Sequence, residues 1–366
     1  MKVDTARVLG EHKLERLARA SSDTVTFWKD ATEVLRGVIP FDFHPCWFTI
    51  DPTTLLVTGH LNEGLDRTPP EIARAWYAEG DVNSPIDLAR LRGGVSTVRR
   101  ATRGDPAASW RWRHLLDPLG FDDSLDAVLR TGRTVWGAVT LLHTDGSRPL
   151  TADDVRFMAR LGETLAIGTR LGLLRSEVAE GSAGGPAVLV VSSELVADST
   201  TENADRWLAD LPDVGRFRPD RLPMPVQVVV LRSLRSDTGE AGMTVRSKSG
   251  TWVRIHGSRL AGGGDVAVVV DAATPDQLAP VRMAVYNLTT REQQVVDLVL
   301  RGRSTQQVAD ELFISQYTVQ DRLKGIFEKV GVRSRREMVA TLHVSEIGPK
   351  VAANDELVRT GRPLRR

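Results

Sequence analysis

The sequence predicts an α+β multidomain protein, with two mixed α/β blocks ahead of an all-α C-terminal block of four short helices. Three observations predict it. Strand-like apolar stretches gather between Trp47 and Thr144 and again between Ala187 and Ala272. The stretch EGSAGGP at 180–186 separates the two groups, as a flexible linker does. From residue 288 the pattern turns into short helical segments punctuated by caps and glycines.

A chain of 366 residues suits two or three domains. The apolar share of 41% and the charged share of 26% are those of ordinary globular protein. Net charge is +1, so any affinity for nucleic acid must come from a local patch. The single cysteine, Cys46, excludes an internal disulfide and a cysteine-rich zinc site, which fits a reducing cytoplasm. No signal peptide and no apolar run of bilayer length is visible, and a cytoplasmic location without membrane contact is expected.

Taken in order, residues 4–20 read as an amphipathic helix. WFTIDP and LLVTGHL read as two strands of a meander. SLDAVLRTG and TVWGAVTLLHT read as two more, joined at Gly132-Arg133. Thr151 opens a helix with Asp153 and Asp154 in its first turn, where the helix dipole favours acids. Val155, Met158, Leu161, Leu165 and Leu171 form its apolar stripe. After the linker come strand AVLVV, a second short strand and a helix ending near Leu211. MTVRSKSGTWVRIHGSRL reads as a hairpin turning at Ser249-Gly250, and DVAVVVDA as the last strand. Residues 275–287 read as a helix connecting to the last block.

In that block Thr289 and Glu292 have capping-box spacing, with Val295, Leu298 and Val299 on the buried face and Gly302 as the stop. Ser304 caps a second helix, STQQVADEL, and FIS is a tight turn into a third, SQYTVQDRLKGIFEKVGV, which Gly331 stops. Ser334 and Glu337 have the same capping-box spacing ahead of a fourth, with Val339 and Leu342 inside. On the third helix Val319, Leu323, Ile326 and Val330 form one buried stripe, and Tyr317, Gln320, Asp321 and Lys324 the opposite, polar face. Short helices, a tight turn and a helix with a polar outer face make a helix-turn-helix.

These residues resemble the LuxR/FixJ-type DNA-binding domain, through LTTRE, the Gly302–Ser304 step, the IS–TV turn and KVGVRSR. Arg322 stands where many relatives of that family carry histidine. A helix of this kind fits the major groove, where each base pair presents its own donor and acceptor pattern. Gln320 can bridge adenine, Lys324 donate to guanine, and Asp321 accept from cytosine, with Tyr317 on the same face. The resemblance places base contacts at Gln320, Asp321 and Lys324 too. Ser304, Thr318, Arg322, Lys329, Arg333 and Arg335 are expected on phosphates, which position without specifying. The competing reading is a solvated helix of an ordinary bundle, and the caps, turn and basic run together weigh against it.

Residues PCWFTIDPTTLLVTGHL and WRWRHLLDPLGFDDSLDAVLRTGRTVWGAVTLL make the first block resemble a GAF domain, a ligand-sensing fold of regulators. The middle block resembles a PAS domain. The expected layout is a GAF-like α/β sensor at 1–178, a PAS-like α/β domain at 186–274, the connecting helix at 275–287, the LuxR-type helix-turn-helix at 288–345 and a disordered tail at 346–366. Aromatic side chains are dense in the first block, and an aromatic-lined cavity is how small-molecule pockets are built. Trp47, Trp76, Tyr77, Trp110 and Trp112 are therefore candidate effector contacts, against the alternative that they only fill the core, as Trp136 is expected to do. The seven arginines between 88 and 114 either bind an anionic effector or form a solvated loop or a contact with DNA or polymerase, and the second reading is favoured. Cys46, beside Trp47 on a strand, is expected to be buried and inert.

No GxxxxGK[ST] phosphate loop, metal-ligand spacing, nucleophile elbow or phosphorylated-receiver pattern is present, so no enzyme, cofactor or metal is expected. The expected function is a one-component, sequence-specific transcriptional regulator on double-stranded DNA. It would act as a homodimer with RNA polymerase as a partner and a small-molecule effector in its sensor. The alternative is control by a protein partner, with the sensor blocks as dimerisation or interaction modules. An acyl-homoserine-lactone receptor, with one sensor block, fits less well.

Overall fold

The structure, a computed structural model, describes residues 2–65, 68–175, 185–213, 221–262, 264–274, 277, 278, 281, 286, 288–330 and 332–342. It divides into two compact units, Met1–Thr131 with Val135–Ala272, and Gly132–Thr134 with Ala273–Arg366. Linker residues 180–184, most of the helix expected at 275–287, Gly331 and the tail at 346–366 lie outside the described residues.

The first block holds α1 (Lys2–Ala20), α2 (Thr24–Arg36), β1 (Cys46–Ile50), β2 (Val57–Leu61), α3 (Pro70–Tyr77), α4 (Pro85–Arg90), β3 (Val95–Thr97), α5 (Val98–Ala101), β4 (Phe121–Thr131), β5 (Thr134–Thr144) and α6 (Ala152–Arg175). The sheet order is β2-β1-β5-β4-β3, with β1 antiparallel to both β2 and β5. β1 and most of β4 and β5 are buried without alternation, so the sheet is covered on both faces. On one face α2 and α6 pack tightly: a Cβ at Gly168 would collide with the Phe27 ring. There Trp28 stacks on Trp47 at 5.6 Å and donates from Nε1 to Thr169 Oγ1 at 2.9 Å. Thr151 caps α6, accepting from Asp154 N at 3.2 Å, while the Asp154 carboxylate accepts from Thr151 N at 2.8 Å. The other face is covered by α3 and by a π-helical turn at Trp112–Leu116. The sequence pattern predicts neither α2, α3, α4 and α5 nor β3 and this turn.

The second block holds β6 (Ala187–Val191), β7 (Ala197–Thr200), α7 (Ala204–Asp210), α8 (Met224–Arg235), β8 (Glu240–Arg246), β9 (Trp252–Arg259) and β10 (Val266–Ala272), in sheet order β7-β6-β10-β9-β8. Counted within each block, both sheets have the same strand order. The β8–β9 hairpin turns at Gly250, whose φ of +84° suits glycine. α8 was not foreseen either. Its valine run favours strand by propensity, but a proline in its first turn starts a helix and burial on β9 holds it there. The two sheets share one unit: Asp51 on the first accepts from Thr244 N of the second at 2.8 Å.

The C-terminal unit holds α9 (Thr290–Leu300), α10 (Thr305–Leu312), α11 (Gln316–Val330) and α12 (Arg335–Leu342). Its core contains Val295, Val299, Val308, Val319, Ile326 and Met338.

Candidate nucleic-acid interface and sensor cavity

Each of these four helices starts at a side-chain cap. Thr289 accepts from Glu292 N at 3.3 Å while Glu292 accepts from Thr289 N at 2.6 Å. Ser304 and Gln307 make the same reciprocal pair at 3.2 and 2.8 Å, a full box where the sequence predicts a single cap. Gly302 at φ +80° ends α9, and Phe313 at φ +54° ends α10, a left-handed residue that turns the chain sharply toward α11. Ser315 then accepts from Thr318 N at 3.1 Å to begin α11. Before α12, Ser334 accepts from Glu337 N at 3.1 Å, but Glu337 reaches back to Arg333 N at 2.8 Å rather than to Ser334 N. The expected second box is therefore offset by one residue on its return bond.

The stripe of Val319, Leu323, Ile326 and Val330 is buried against α9, α10 and α12. Tyr317, Gln320, Asp321 and Lys324 are exposed, Tyr317 at 79%. Among the described residues none of these four side chains is engaged by another. The residues expected on phosphates divide into two groups. Arg333 is exposed, Arg322 and Thr318 are half-buried, and Arg322 Nη1 has no protein partner among the described residues. Thr318 shares a hydrogen bond with Ser315 Oγ at 2.9 Å, and Ser304, Lys329 and Arg335 also have internal roles. Ser304 is a cap, Arg335 donates to the Arg303 carbonyl, and Lys329 binds both carboxylate oxygens of Glu292 at 2.7 and 2.9 Å. Burial alone would raise the Glu292 carboxyl, but Lys329 and the bonds from Thr289 outweigh it and hold the group below its ordinary range.

The first block holds a partly open cavity of about 260 Å³ on the sheet face opposite α6. Phe43, Phe48, Ile72, Leu116, Phe121 and Leu142 are among its apolar walls, and Arg111, Thr140 and Cys46 are its polar lining. Arg111 is 3% exposed and its guanidinium forks onto Asp126, 1% exposed, at 2.7 and 3.2 Å. Asp126 also accepts from Thr140 Oγ1 at 2.7 Å, Asn83 Nδ2 at 2.9 Å and Ser124 Oγ at 3.1 Å. Desolvation would lower the Arg111 pKa, but the Asp126 carboxylate outweighs it and holds the guanidinium charged. A roomier cleft of about 650 Å³ runs along β2 and past Pro212, but its lining mixes Asp23 and Asp213 with Arg246 and Lys248.

None of the five aromatics expected at an effector lines the 260 Å³ cavity. Trp47 points to the opposite sheet face, stacked on Trp28, and donates to Thr32 Oγ1 at 3.1 Å. Trp76 stands behind the wall, edge-on to Phe48 at 5.3 Å, and its Nε1 has no partner among the described residues. Tyr77 accepts from Val57 N at 3.0 Å, Trp110 stacks on His114 at 4.2 Å, and Trp112 donates to the Asp122 carbonyl at 3.2 Å. Trp136 is 2% exposed, a core residue as expected. Of the arginines between 88 and 114, Arg90, Arg92, Arg99, Arg100, Arg103 and Arg113 are exposed, and Arg111 alone is buried. The signal that marks Arg111 is its place between two tryptophans. Cys46 is buried, and burial pushes its thiol up to about 12, out of reach of thiolate chemistry. Among the described residues, no group of three or more His, Cys, Asp or Glu is placed to hold a metal, and no helix is long and apolar enough to cross a membrane.

Residues 286–342 match the family model of bacterial regulatory proteins, luxR family. The chain is 38% identical over 55 residues to the spore germination protein GerE of Bacillus subtilis (strain 168), 15% of this chain and 74% of that protein. It is 32% identical over 72 residues to the HTH-type transcriptional regulator MalT of Yersinia pestis (strain Pestoides F), of whose length it spans only 8%. Among solved structures it is similar to a phage VqmA–DPO complex, at 16% identity over 43% of this chain and 79% of that one, with a TM-score of 0.25. So low a score carries no weight for fold or function.

Proposed function

Since the chain belongs, through its C-terminal unit, to the luxR family of bacterial regulatory proteins and is a DNA-binding transcriptional regulator of that type, we propose that it reads a specific operator under the control of a small effector. The observation that carries the reading is the polar face of α11. Tyr317, Gln320, Asp321 and Lys324 are exposed and unengaged on a helix whose other face is locked into a capped core. Side chains kept free in this way are ready for base edges in the major groove. Arg322 and Arg333 then serve as phosphate contacts, and Ser304, Thr318, Lys329 and Arg335 reach phosphates only by sharing or giving up their internal bonds. The protein binds as a homodimer on paired half-sites, in the cytoplasm, with RNA polymerase as its functional partner.

The effector enters the 260 Å³ cavity of the first block, which has the apolar walls and few polar groups of a small-molecule site. The GAF-like and PAS-like assignments of the two blocks are part of this reading, supported by their common strand order. Ligand and operator must each change the other's affinity by the same factor. The test is selection from a random duplex pool with the full chain. The selected DNA is expected to converge on one motif with two half-sites, and a pool that stays random sinks the reading.

A further inference from the structure

We infer that the cavity of the first block takes a neutral, hydrocarbon-rich ligand of about ten non-hydrogen atoms, held by shape and apolar contact and not by ion pairing with Arg111. The inference rests on the sensor reading above and names the ligand's size and chemical class.

Size follows from the volume. An apolar cavity of about 150 Å³ is enough for benzene. At about 260 Å³ the cavity beside α3 has room for a skeleton of about ten atoms. Its walls are phenyl and aliphatic groups, Phe48 from β1, Ile72 from α3, Phe121 from β4 and Leu142 from β5 among them. Leu119, 57% exposed, also lines it, so a ligand meets apolar surface from the entrance inward.

The polar residues of the lining have nothing to spare for an ion. Thr140 gives its hydroxyl proton to Asp126, and Cys46 Sγ accepts from Asn62 Nδ2 at 3.3 Å. Arg111 gives Nη1 and Nη2 to Asp126, with a further bond from Nη2 to Ser124 Oγ at 3.3 Å. Its Nε is closed off as well, and only 3% of the residue is exposed. The Asp126 carboxylate collects bonds from Arg111, Thr140, Asn83 and Ser124, which fill its lone pairs.

Charge balance points the same way. Asp126 matches the Arg111 cation, and Asp81 lies beside it, accepting from Arg111 N at 2.7 Å. An entering anion would leave water to meet a cation already neutralised, and an entering cation would meet a carboxylate already surrounded by donors. Either ion would stand unpaired in a site of low dielectric. A neutral skeleton carries no such penalty and gains from the apolar surface taken out of water. Arg111 is therefore a structural cation, and the anionic effector weighed from the arginine-rich segment does not fit this cavity.

The test uses the full chain and three probes of one branched shape with equal numbers of non-hydrogen atoms: cumene, benzoate and benzamidinium, titrated by calorimetry. At neutral pH cumene is expected to bind about a hundredfold or more tighter than either ion, with a negative heat-capacity change. Benzoate should enter only as the protonated acid, so its apparent affinity should fall about tenfold per pH unit above its own pKa. Leu142→Phe, which fills part of the cavity, should weaken cumene about tenfold. If that variant does not fold, the anomalous density of bromobenzene in crystals of the wild-type chain locates the site. Either ion binding as tightly as cumene, a benzoate affinity flat with pH, undiminished cumene binding by folded Leu142→Phe, or bromobenzene seated elsewhere overturns the inference. Binding of none of the three overturns the cavity reading with it. Cumene that binds as expected without changing operator affinity removes the sensor reading and leaves the ligand class standing.

Discussion

Arg111 and Lys324 are both cations beside a surface we assign to function, and they are held in opposite ways. Arg111 is 3% exposed, forked onto Asp126 and fixed between the sheet and a π-helical turn. Lys324 stands exposed on α11 with no internal partner among the described residues. In the first block most of the polar groups beside the pocket are buried and bonded to one another, as Arg111, Thr140, Asn83 and Ser124 are around Asp126. In the C-terminal unit the apolar stripe does the holding and the polar face is left whole. A pocket that takes a small molecule needs desolvated, pre-arranged groups, whereas a groove-reading helix needs reach and unspent donors.

The sharpest way to break the contrast is Asp126→Ala. It leaves Arg111 buried without its counter-charge, and a loss of about 3–5 kcal/mol is expected in the unfolding of the first unit. The pair Arg111→Met with Asp126→Leu should recover most of that loss, measured by urea denaturation. If Asp126→Ala is tolerated, the ion pair is not the anchor of that wall.

On the other side, Ile326→Ala attacks the buried stripe of α11. Ile326 is fully buried, and about 2–5 kcal/mol of the C-terminal unit's stability is expected to go. DNA binding should then fall alike on selected and random duplexes, and a change in base preference with stability intact would contradict the division of the two faces.

Lys324→Ala should leave stability untouched and cost about 1–3 kcal/mol on the selected operator alone, with relaxed preference at one base position. Arg322→Ala gives the contrast: equal weakening on all duplexes and a log–log salt slope shallower by about 0.9. Band-shift titrations at several salt concentrations separate the two, and exchanged behaviour would reverse the assignments.

The smallest effect belongs to the Glu292–Lys329 pair, which ties α11 to the start of α9. The folded-state pKa of Glu292 is lowered, so its stabilisation is present above the ordinary value of 4.5 and is lost as pH falls through the folded value. Lys329 is 37% exposed, so Lys329→Ala should cost no more than about 1 kcal/mol at neutral pH and nothing once Glu292 is protonated. A difference between variant and wild type that is undiminished at low pH would assign the effect to something other than this pair.

Much of the C-terminal unit was legible in the sequence because its determinants are local. A capping box acts over three residues, a left-handed residue ends a helix on the spot, and a stripe at helical spacing names its own buried face. So Thr289, Gly302, Ser304 and the stripe from Val319 to Val330 could be placed by reading alone, and so could the hairpins at Gly132 and Gly250. The helices α2 to α5 and α8 were less legible, being short or, in α8, valine-rich, and held by burial against the sheets rather than by their own propensity.

The cavity was not legible at all. Composition marked the first block as rich in tryptophan, but whether an indole faces a void or another side chain depends on which sheet face and which covering helix it meets. Trp47 and Cys46 are neighbours on β1 that point to opposite faces, and only Cys46 reaches the cavity. Arg111 and Asp126 are fifteen residues apart and meet only because the chain returns through β4 beneath the π-helical turn. The sequence by itself determined the capped helices, the turn between them and the two faces of α11, since each rests on neighbours within one or two helical turns. The cavity and its buried ion pair were decided by tertiary structure, because contacts between residues far apart in the chain leave no periodic trace in it.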